Sequence, residues 1–309
     1  MVRKSGIEIK GKKVLILGSG GASVTVNAVL SDMEASEIIV ISRTGENNYD
    51  NLEKHSDADV IVNTTPVGMY PRNGEAPLDL KIFDKLSGVL DIVYNPSVTR
   101  LLYDAENLGL PFINGLSMLV AQGKKAAEIF LGEKIPDGEI DKITAEIEKK
   151  TKNIVLIGMP GSGKSTAGRL IAEKLGRKFI DTDDLIEKKA GLTIPEIFSR
   201  FGEDKFRELE GEAAEEAGKM SGAVIATGGG IVTRPVNRYP LKQNSVTVWL
   251  KRDLSLLSLD GRPISQSNPL QELYEKRAPL YADFADAEIN VSENADETAE
   301  EIIDALRRI

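Results

Sequence analysis

Along the first half of the chain, short apolar runs alternate with helical patterns. VLILG (residues 14–18), EIIVIS (37–42), DVIVNTT (59–65), GVLDIVY (88–94) and PFING (111–115) are continuous apolar runs rather than period-two alternations. That is the pattern of strands buried on both faces of a parallel sheet, with the segments between them as crossover helices. Between Gly132 and Asn153 the chain turns to GEKIPDGEIDKITAEIEKKTKN, charged and helical in pattern and carrying a proline and two glycines. The alternation then restarts with NIVLIG (153–158), KFIDTD (178–183), AVIAT (223–227), VTVWL (246–250) and AEINV (287–291). It closes on DETAEEIIDALRRI, where Ala299, Ile302, Ile303 and Leu306 share one helical face. The pattern predicts an α/β protein of two parallel-sheet domains, residues 1–135 and 153–309, joined by a charged helical linker at 136–152. A length of 309 residues accommodates two cores.

Charge and composition narrow the chemistry. The formal net charge is −9, with acidic and basic residues mixed and no basic block, which argues against nucleic acid or an anionic membrane as partner. There are no cysteines, so thiol nucleophiles, disulfides and cysteine metal sites are excluded. The one histidine, His55, lies in the polar stretch NLEKHSDAD and is expected at the surface. Histidine triads and zinc sites have no material here. No apolar run approaches about 20 residues, and the N-terminus has no signal-peptide core, so the expected location is cytoplasmic.

GMPGSGKST (158–166) fits G-x-x-x-x-G-K-[ST] through Gly158, Gly163, Lys164 and Ser165, after an apolar strand and before the helical pattern Ala167, Leu170, Ile171 and Leu175. In such a loop the N–H groups of Gly161, Ser162, Gly163 and Thr166 turn toward phosphate oxygens, beside the positive end of a helix. Lys164 can bridge the β- and γ-phosphates of ATP, and Ser165 can ligate Mg²⁺. Downstream, Asp181 and Asp183 in DTDD stand at a strand's carboxyl end, where α/β sheets place ligands. With a spacing of two they could point the same way in an extended segment, one toward Mg²⁺ and one toward a substrate hydroxyl. Acidic residues after a strand also serve as helix N-caps, and Asp184 is placed to be one.

FRELE supplies Arg207, ATGGGIVTR places Gly228–Gly230 after a strand, GRPIS carries Arg262, and KRAPLY adds Arg277. In this order, from Asn153 onward, the motifs resemble those of shikimate kinase. The resemblance implies a P-loop, nucleoside-monophosphate-kinase-like fold and ATP-dependent phosphorylation of the 3-hydroxyl of shikimate. It makes Asp183 the contact to the shikimate hydroxyls and the base, Arg207 and Arg277 the clamp on its carboxylate, and Gly229 a backbone contact. Arg262 becomes the lid arginine on the transferring phosphate, and Asp181 a support for Mg²⁺ through water. Two departures stand out: the segment SLDGRPISQSN is short, and no second arginine aligns to flank the adenine. The residues alone leave open another small-metabolite kinase of the same fold.

In the first half, LGSGGAS (17–23) follows the first strand and resembles a dinucleotide fingerprint through Gly18, Ser19, Gly20, Gly21 and Ala22, although Ser23 replaces the third glycine. The second strand ends in Ser42, Arg43 and Thr44 with no acidic residue for a ribose 2′-OH, which favours NADP over NAD. With NTTPVGMYP (63–71), DIVYNPSVT (91–99) and NGLSMLVAQ (114–122), residues 8–132 resemble the Rossmann-like NADP domain of shikimate dehydrogenase. The resemblance places Ile92 and Gly115 near the nicotinamide, and Tyr94 and Gln122 toward shikimate. That family also has an N-terminal substrate domain with a catalytic lysine–aspartate pair. Here the first strand begins at Val14, and Lys4, Lys10, Lys12 and Lys13 match no such site. The expectation is therefore an incomplete dehydrogenase module, completed by a separate substrate domain or serving as a non-catalytic NADP-binding scaffold, ahead of the kinase.

Overall fold

The computed structural model describes residues 1–257 and 270–308. The chain divides into two compact units, Met1–Glu148 and Lys149–Ile309. The first holds α1 (Val2–Ser5), β1 (Lys13–Leu17), α2 (Gly21–Asp32), β2 (Glu37–Ile41), β3 (Val60–Asn63), β4 (Gly88–Asp91), α3 (Arg100–Asn107), β5 (Phe112–Ile113) and α4 (Leu116–Leu131). Helix α5 (Gly138–Thr151) carries the boundary between the units, at Glu148/Lys149, within its last turn. The second unit holds β6 (Asn153–Ile157), α6 (Lys164–Leu175), β7 (Phe179–Asp181), α7 (Thr182–Ala190), α8 (Ile194–Gly218), β8 (Val224–Ala226), α9 (Arg238–Lys242), β9 (Ser245–Lys251), α10 (Leu270–Phe284), β10 (Ala287–Asn290) and α11 (Ala295–Leu306).

Each unit is built on five parallel strands, in the orders β2-β1-β3-β4-β5 and β10-β9-β6-β8-β7. Both sheets are buried on both faces, and the strands show it residue by residue. In β1, Leu15 and Leu17 enter one apolar cluster while Val14 and Ile16 enter another. In β6, Val155 and Ile157 pack with Trp249 and Tyr281, while Ile154 and Leu156 pack against α6 and α11. The α11 face of Ala299, Ile302 and Ile303 is buried as its spacing predicts. Each isoleucine removed from water there contributes about 1.5–3 kcal/mol.

One expectation fails here. His55 is not a surface residue: it is only 8% exposed and shares a 2.9 Å hydrogen bond between Nε2 and Asn47 Oδ1. Leu52, one helical turn earlier, packs into the core and carries the histidine inward. Burial lowers its pKa.

Asp91 ties together the carboxyl ends of β3 and β4. It is fully buried and accepts hydrogen bonds from Asn63 Nδ2 (3.0 Å), Thr99 Oγ1 (2.7 Å) and the Val93 N–H (3.0 Å). Burial pushes its pKa up to about 6, against the pull of those three donors. A carboxyl raised in this way binds its proton more tightly in the fold than in the unfolded chain. Its contribution is therefore fully present below the unfolded pKa and is lost as pH rises through about 6, a swing of about 3 kcal/mol. In Asp91→Asn this slope between about pH 4 and 6 should vanish. Amide exchange at Val89 and Leu90 reports it without interference from the C-terminal unit, and an unchanged slope would place the titration elsewhere.

Candidate functional site

At the carboxyl edge of the second sheet, β6 ends and the chain enters a tight loop from Gly158 to Gly163 before α6. Gly158 adopts φ 144°, and a Cβ there would stand 2.6 Å from the Leu250 carbonyl oxygen on β9. Only glycine allows that approach. The buried Lys164 ammonium donates to the carbonyls of Gly158 (2.9 Å) and Met159 (2.8 Å), closing the loop on itself. Ser162 is fully buried within it.

Asp181 and Asp183 do not share an extended segment. Asp181 is the N-cap of α7 and accepts the Asp183 N–H on Oδ1 (3.1 Å), which puts Asp183 in the first helical turn. The cap that Asp184 was placed to provide is thus supplied three residues earlier. The other Asp181 oxygen accepts from Ser165 Oγ at 2.7 Å. Ser165 and Asp181 form a pair of hard oxygen donors beside the phosphate loop, which suits Mg²⁺. Among the described residues no group of three or more histidine or carboxylate side chains is placed to hold a metal. Mg²⁺ asks for no such cage, because it keeps waters and takes its remaining ligands from phosphates.

Asp183, Arg207 and Arg277 come from α7, α8 and α10 and line one cavity of about 320 Å³ together with Gly161, Gly163–Thr166 and Gly228–Gly230. Arg277 is 5% exposed and donates to the Gly229 carbonyl at 3.2 Å, and the buried Tyr281 hydroxyl donates to the same oxygen. Arg207 pairs with Glu210 (2.8 Å) and Glu203 (3.0 Å). Burial works against the Arg207 charge, but the two carboxylates outweigh it and hold its pKa above the ordinary value. Arg262 lies outside the described residues.

Glu210 was not singled out from sequence. It is 1% exposed, lines the cavity, and has its pKa raised by burial against the opposing charges of Arg207, Arg277 and Arg234. Its spacing of three from Arg207 on a helix was a readable sign of a pair. Arg252, just beyond β9, and an apolar wall of Ile194, Phe198 and Phe206 also line the cavity unannounced.

In the first unit, Gly18 (φ 98°) leaves β1, Gly20 caps α2, and buried Ser23 turns its hydroxyl onto the Gly20 carbonyl at 2.6 Å. A serine therefore fits where a third glycine is usual. Nothing lies within 4 Å of a Cβ built on Gly20 or Gly21, so the helix entrance, with Ser19 and Ala22, is open. The Gly18 N–H donates to the Ile41 carbonyl at 2.8 Å, which sets the Ser42–Arg43–Thr44 turn beside the glycine loop, with Arg43 exposed. Gly115 meets Ile92 so closely that a Cβ would stand 1.9 Å from the Ile92 carbonyl oxygen. Tyr94 and Ile92 line a second cavity of about 370 Å³ with Thr64, Met69 and Tyr70. Gln122 is exposed on α4 and is not in its lining.

A family model described as "Shikimate kinase" matches residues 160–307. The chain is 42% identical over 172 residues to a shikimate kinase of Caldanaerobacter subterraneus subsp. tengcongensis, covering 51% of this chain and 98% of that one. It is 43% identical over 170 residues to a shikimate kinase of Thermodesulfovibrio yellowstonii, covering 51% and 96%. Among solved structures it is similar to a chorismate mutase/shikimate 5-dehydrogenase fusion protein from Clostridium acetobutylicum, with 37% identity and a TM-score of 0.46. That match covers 48% of this chain and spans 59% of the other.

A Cβ on Gly229 would stand 2.6–2.9 Å from the ring and nitrogen of Pro160 in the phosphate loop. Because a proline ring and backbone cannot turn aside, Gly229→Ala should cost about 1–3 kcal/mol of unfolding free energy. The only tryptophan, Trp249, is in the core beneath and reports the transition by fluorescence in urea. An unmoved midpoint would show that the two loops are not in rigid contact.

Proposed function

The chain belongs to the shikimate kinase family through its C-terminal unit, and from that premise we propose that this unit transfers the γ-phosphoryl group of ATP to the 3-hydroxyl of shikimate through the residues in the 320 Å³ cavity. The observation that carries the reading is the convergence in one cavity of a phosphate loop, a half-buried aspartate and two arginines. A planar carboxylate on the acceptor suits bidentate guanidinium recognition, and Arg207 and Arg277 supply it. Asp183 orients the hydroxyl and takes its proton as the oxygen attacks the γ-phosphorus and the bond to the β–γ bridging oxygen breaks. Lys164, the loop N–H groups and the α6 N-terminus hold the ATP phosphates, and Arg262 is assigned to the phosphoryl group in flight. Ser165 and Asp181 would hold Mg²⁺, which when bound supplies charge neutralisation.

Replacing Asp183 with Asn keeps size and reach but removes the charge. The expected result is a kcat lower by about 10²–10⁴, with ATP affinity nearly unchanged. Arg277→Ala should instead raise KM for shikimate, with some loss of kcat because a mispositioned hydroxyl reacts slowly. Steady-state assays with shikimate and ATP varied separately distinguish the two. Intact turnover in the first variant, or weakened ATP in the second, removes these residues from the acceptor site.

For the N-terminal unit we propose NADP(H) binding across the Gly18–Ala22 loop and the Ser42–Thr44 turn, with Ile92 and Gly115 toward the nicotinamide. The lining of its cavity contains no lysine, histidine or carboxylate. That supports a unit whose proton-transfer group comes from a further dehydrogenase substrate domain, or one that only binds the cofactor. Arg43→Ala should weaken NADPH by about 1.5–3 kcal/mol while leaving NADH little affected. Equal losses, by calorimetry, would mean that Arg43 does not meet a 2′-phosphate.

A further inference from the structure

We propose that Arg252 is a second phosphate-binding cation of the nucleotide site, acting on the α/β-phosphates from the side of the loop opposite the acceptor arginines. The inference rests on the kinase reading above. Strand β9 runs beside β6 in parallel register, Asn153↔Ser245 to Ile157↔Trp249, so the residues just past its end are delivered to the phosphate loop. Leu250 abuts Gly158 at the start of the loop, and Arg252 abuts its end, with Nη1 3.9 Å from the position of a Cβ on Gly163. Val291, just past β10, flanks the same point at 4.0 Å.

The neighbouring cation on β9 is engaged: Lys251 is paired with Glu288 and lies over the Trp249 ring. Arg252 lines the cavity, is partly exposed, and makes no hydrogen bond or ion pair among the described residues. A cation with no counter-ion among the described residues, held against the end of the Gly158–Gly163 loop at the N-terminus of α6, suits a polyphosphate. Its position also separates it in function from Arg207 and Arg277. Arg207 meets Glu210 on α8 and Arg277 meets the Gly229 carbonyl in the loop after β8, whereas Arg252 abuts Gly163 from the end of β9.

The test measures ADP, ATP and adenosine binding to the full chain by calorimetry, with shikimate kinetics alongside. Arg252→Ala should weaken both ADP and ATP about 10- to 100-fold, the scale of a lost charge-assisted contact, and leave adenosine affinity and KM for shikimate within about twofold. Arg252→Lys should restore most of the loss, and Arg252→Gln should not. Unchanged ADP affinity in Arg252→Ala overturns the proposal. A parallel loss of adenosine binding also overturns it, since the side chain would then be meeting the base. If the unaltered protein phosphorylates shikimate and binds ADP while Arg252→Ala binds it equally well, only this inference fails. If the unaltered protein binds no ADP, the kinase reading fails with it.

Discussion

Burying both faces of the central parallel strands is the constraint from which the rest of this structure follows. Parallel strands cannot be joined by tight hairpins, so each must be followed by a crossover that returns over one face of the sheet. Most crossovers here are α-helices, but β2–β3 and β3–β4 cross over through irregular chain with only the short 3₁₀ segments Tyr49–His55 and Leu80–Ile82, against the expected crossover helices. All leave the carboxyl ends of the strands along one edge of their sheet. In the second sheet the strand order reverses at β6, whose neighbours β8 and β9 carry the chain to opposite sides. The phosphate loop leaves the sheet at that point, where a crevice between diverging loops is a geometric consequence of the topology. The first sheet repeats this at β1, between β2 and β3, and its glycine loop leaves from there.

At each edge glycine backbone makes close approaches: in the second unit Gly158 lies against the Leu250 carbonyl and Gly229 against Pro160, and in the first Gly115 lies against the Ile92 carbonyl. These approaches exclude a side chain and, within each unit, lock neighbouring loops together. Because several of those loops also carry the candidate functional groups, positions far apart in sequence are held with little freedom. Tyr281 extends the arrangement from below: its hydroxyl and the Arg277 guanidinium both bind the Gly229 carbonyl, so α10 positions the glycine loop as well as the arginine.

The strands, their parallel arrangement and both glycine loops were legible because each is a local signal: an apolar run of limited length, or glycines directly after it. Asp183 and Arg277 were legible as residue types but not as geometry. Spacing two suggested a shared extended face, whereas Asp181 caps a helix that begins immediately, because a carboxylate accepting the Asp183 N–H offsets one of the helix's unsatisfied donors. His55 was misplaced because its polar neighbours hid the inward turn made by Leu52. Glu210 and Arg252 were missed for a different reason. The Glu210–Arg207 pair was readable from its spacing on one helix, but the burial of Glu210 and the approach of Arg252 to Gly163 depend on other strands and helices, and a single segment carries no mark of those.

The electrostatics around Arg207 and Arg277 explain why Glu210 is there. Arg207 and Arg277 are largely withdrawn from water, and a buried cation without a counter-charge is costly. Glu210 answers Arg207 directly and feels the fields of Arg277 and Arg234. Its own burial raises its pKa, and the positive charges of Arg207, Arg277 and Arg234 pull the other way. A carboxylate ligand entering between Arg207 and Arg277 would share Arg207 with Glu210, and that competition lowers the affinity the two guanidiniums could otherwise give. In exchange the fork is held in position before the ligand arrives, so less conformational entropy is lost on binding. Gly230 shows how little slack the arrangement has: a Cβ there would stand 2.2 Å from Arg207 Nη1. The third glycine of the loop therefore leaves room for the arginine in this position, where its neighbour Gly229 faces a rigid proline.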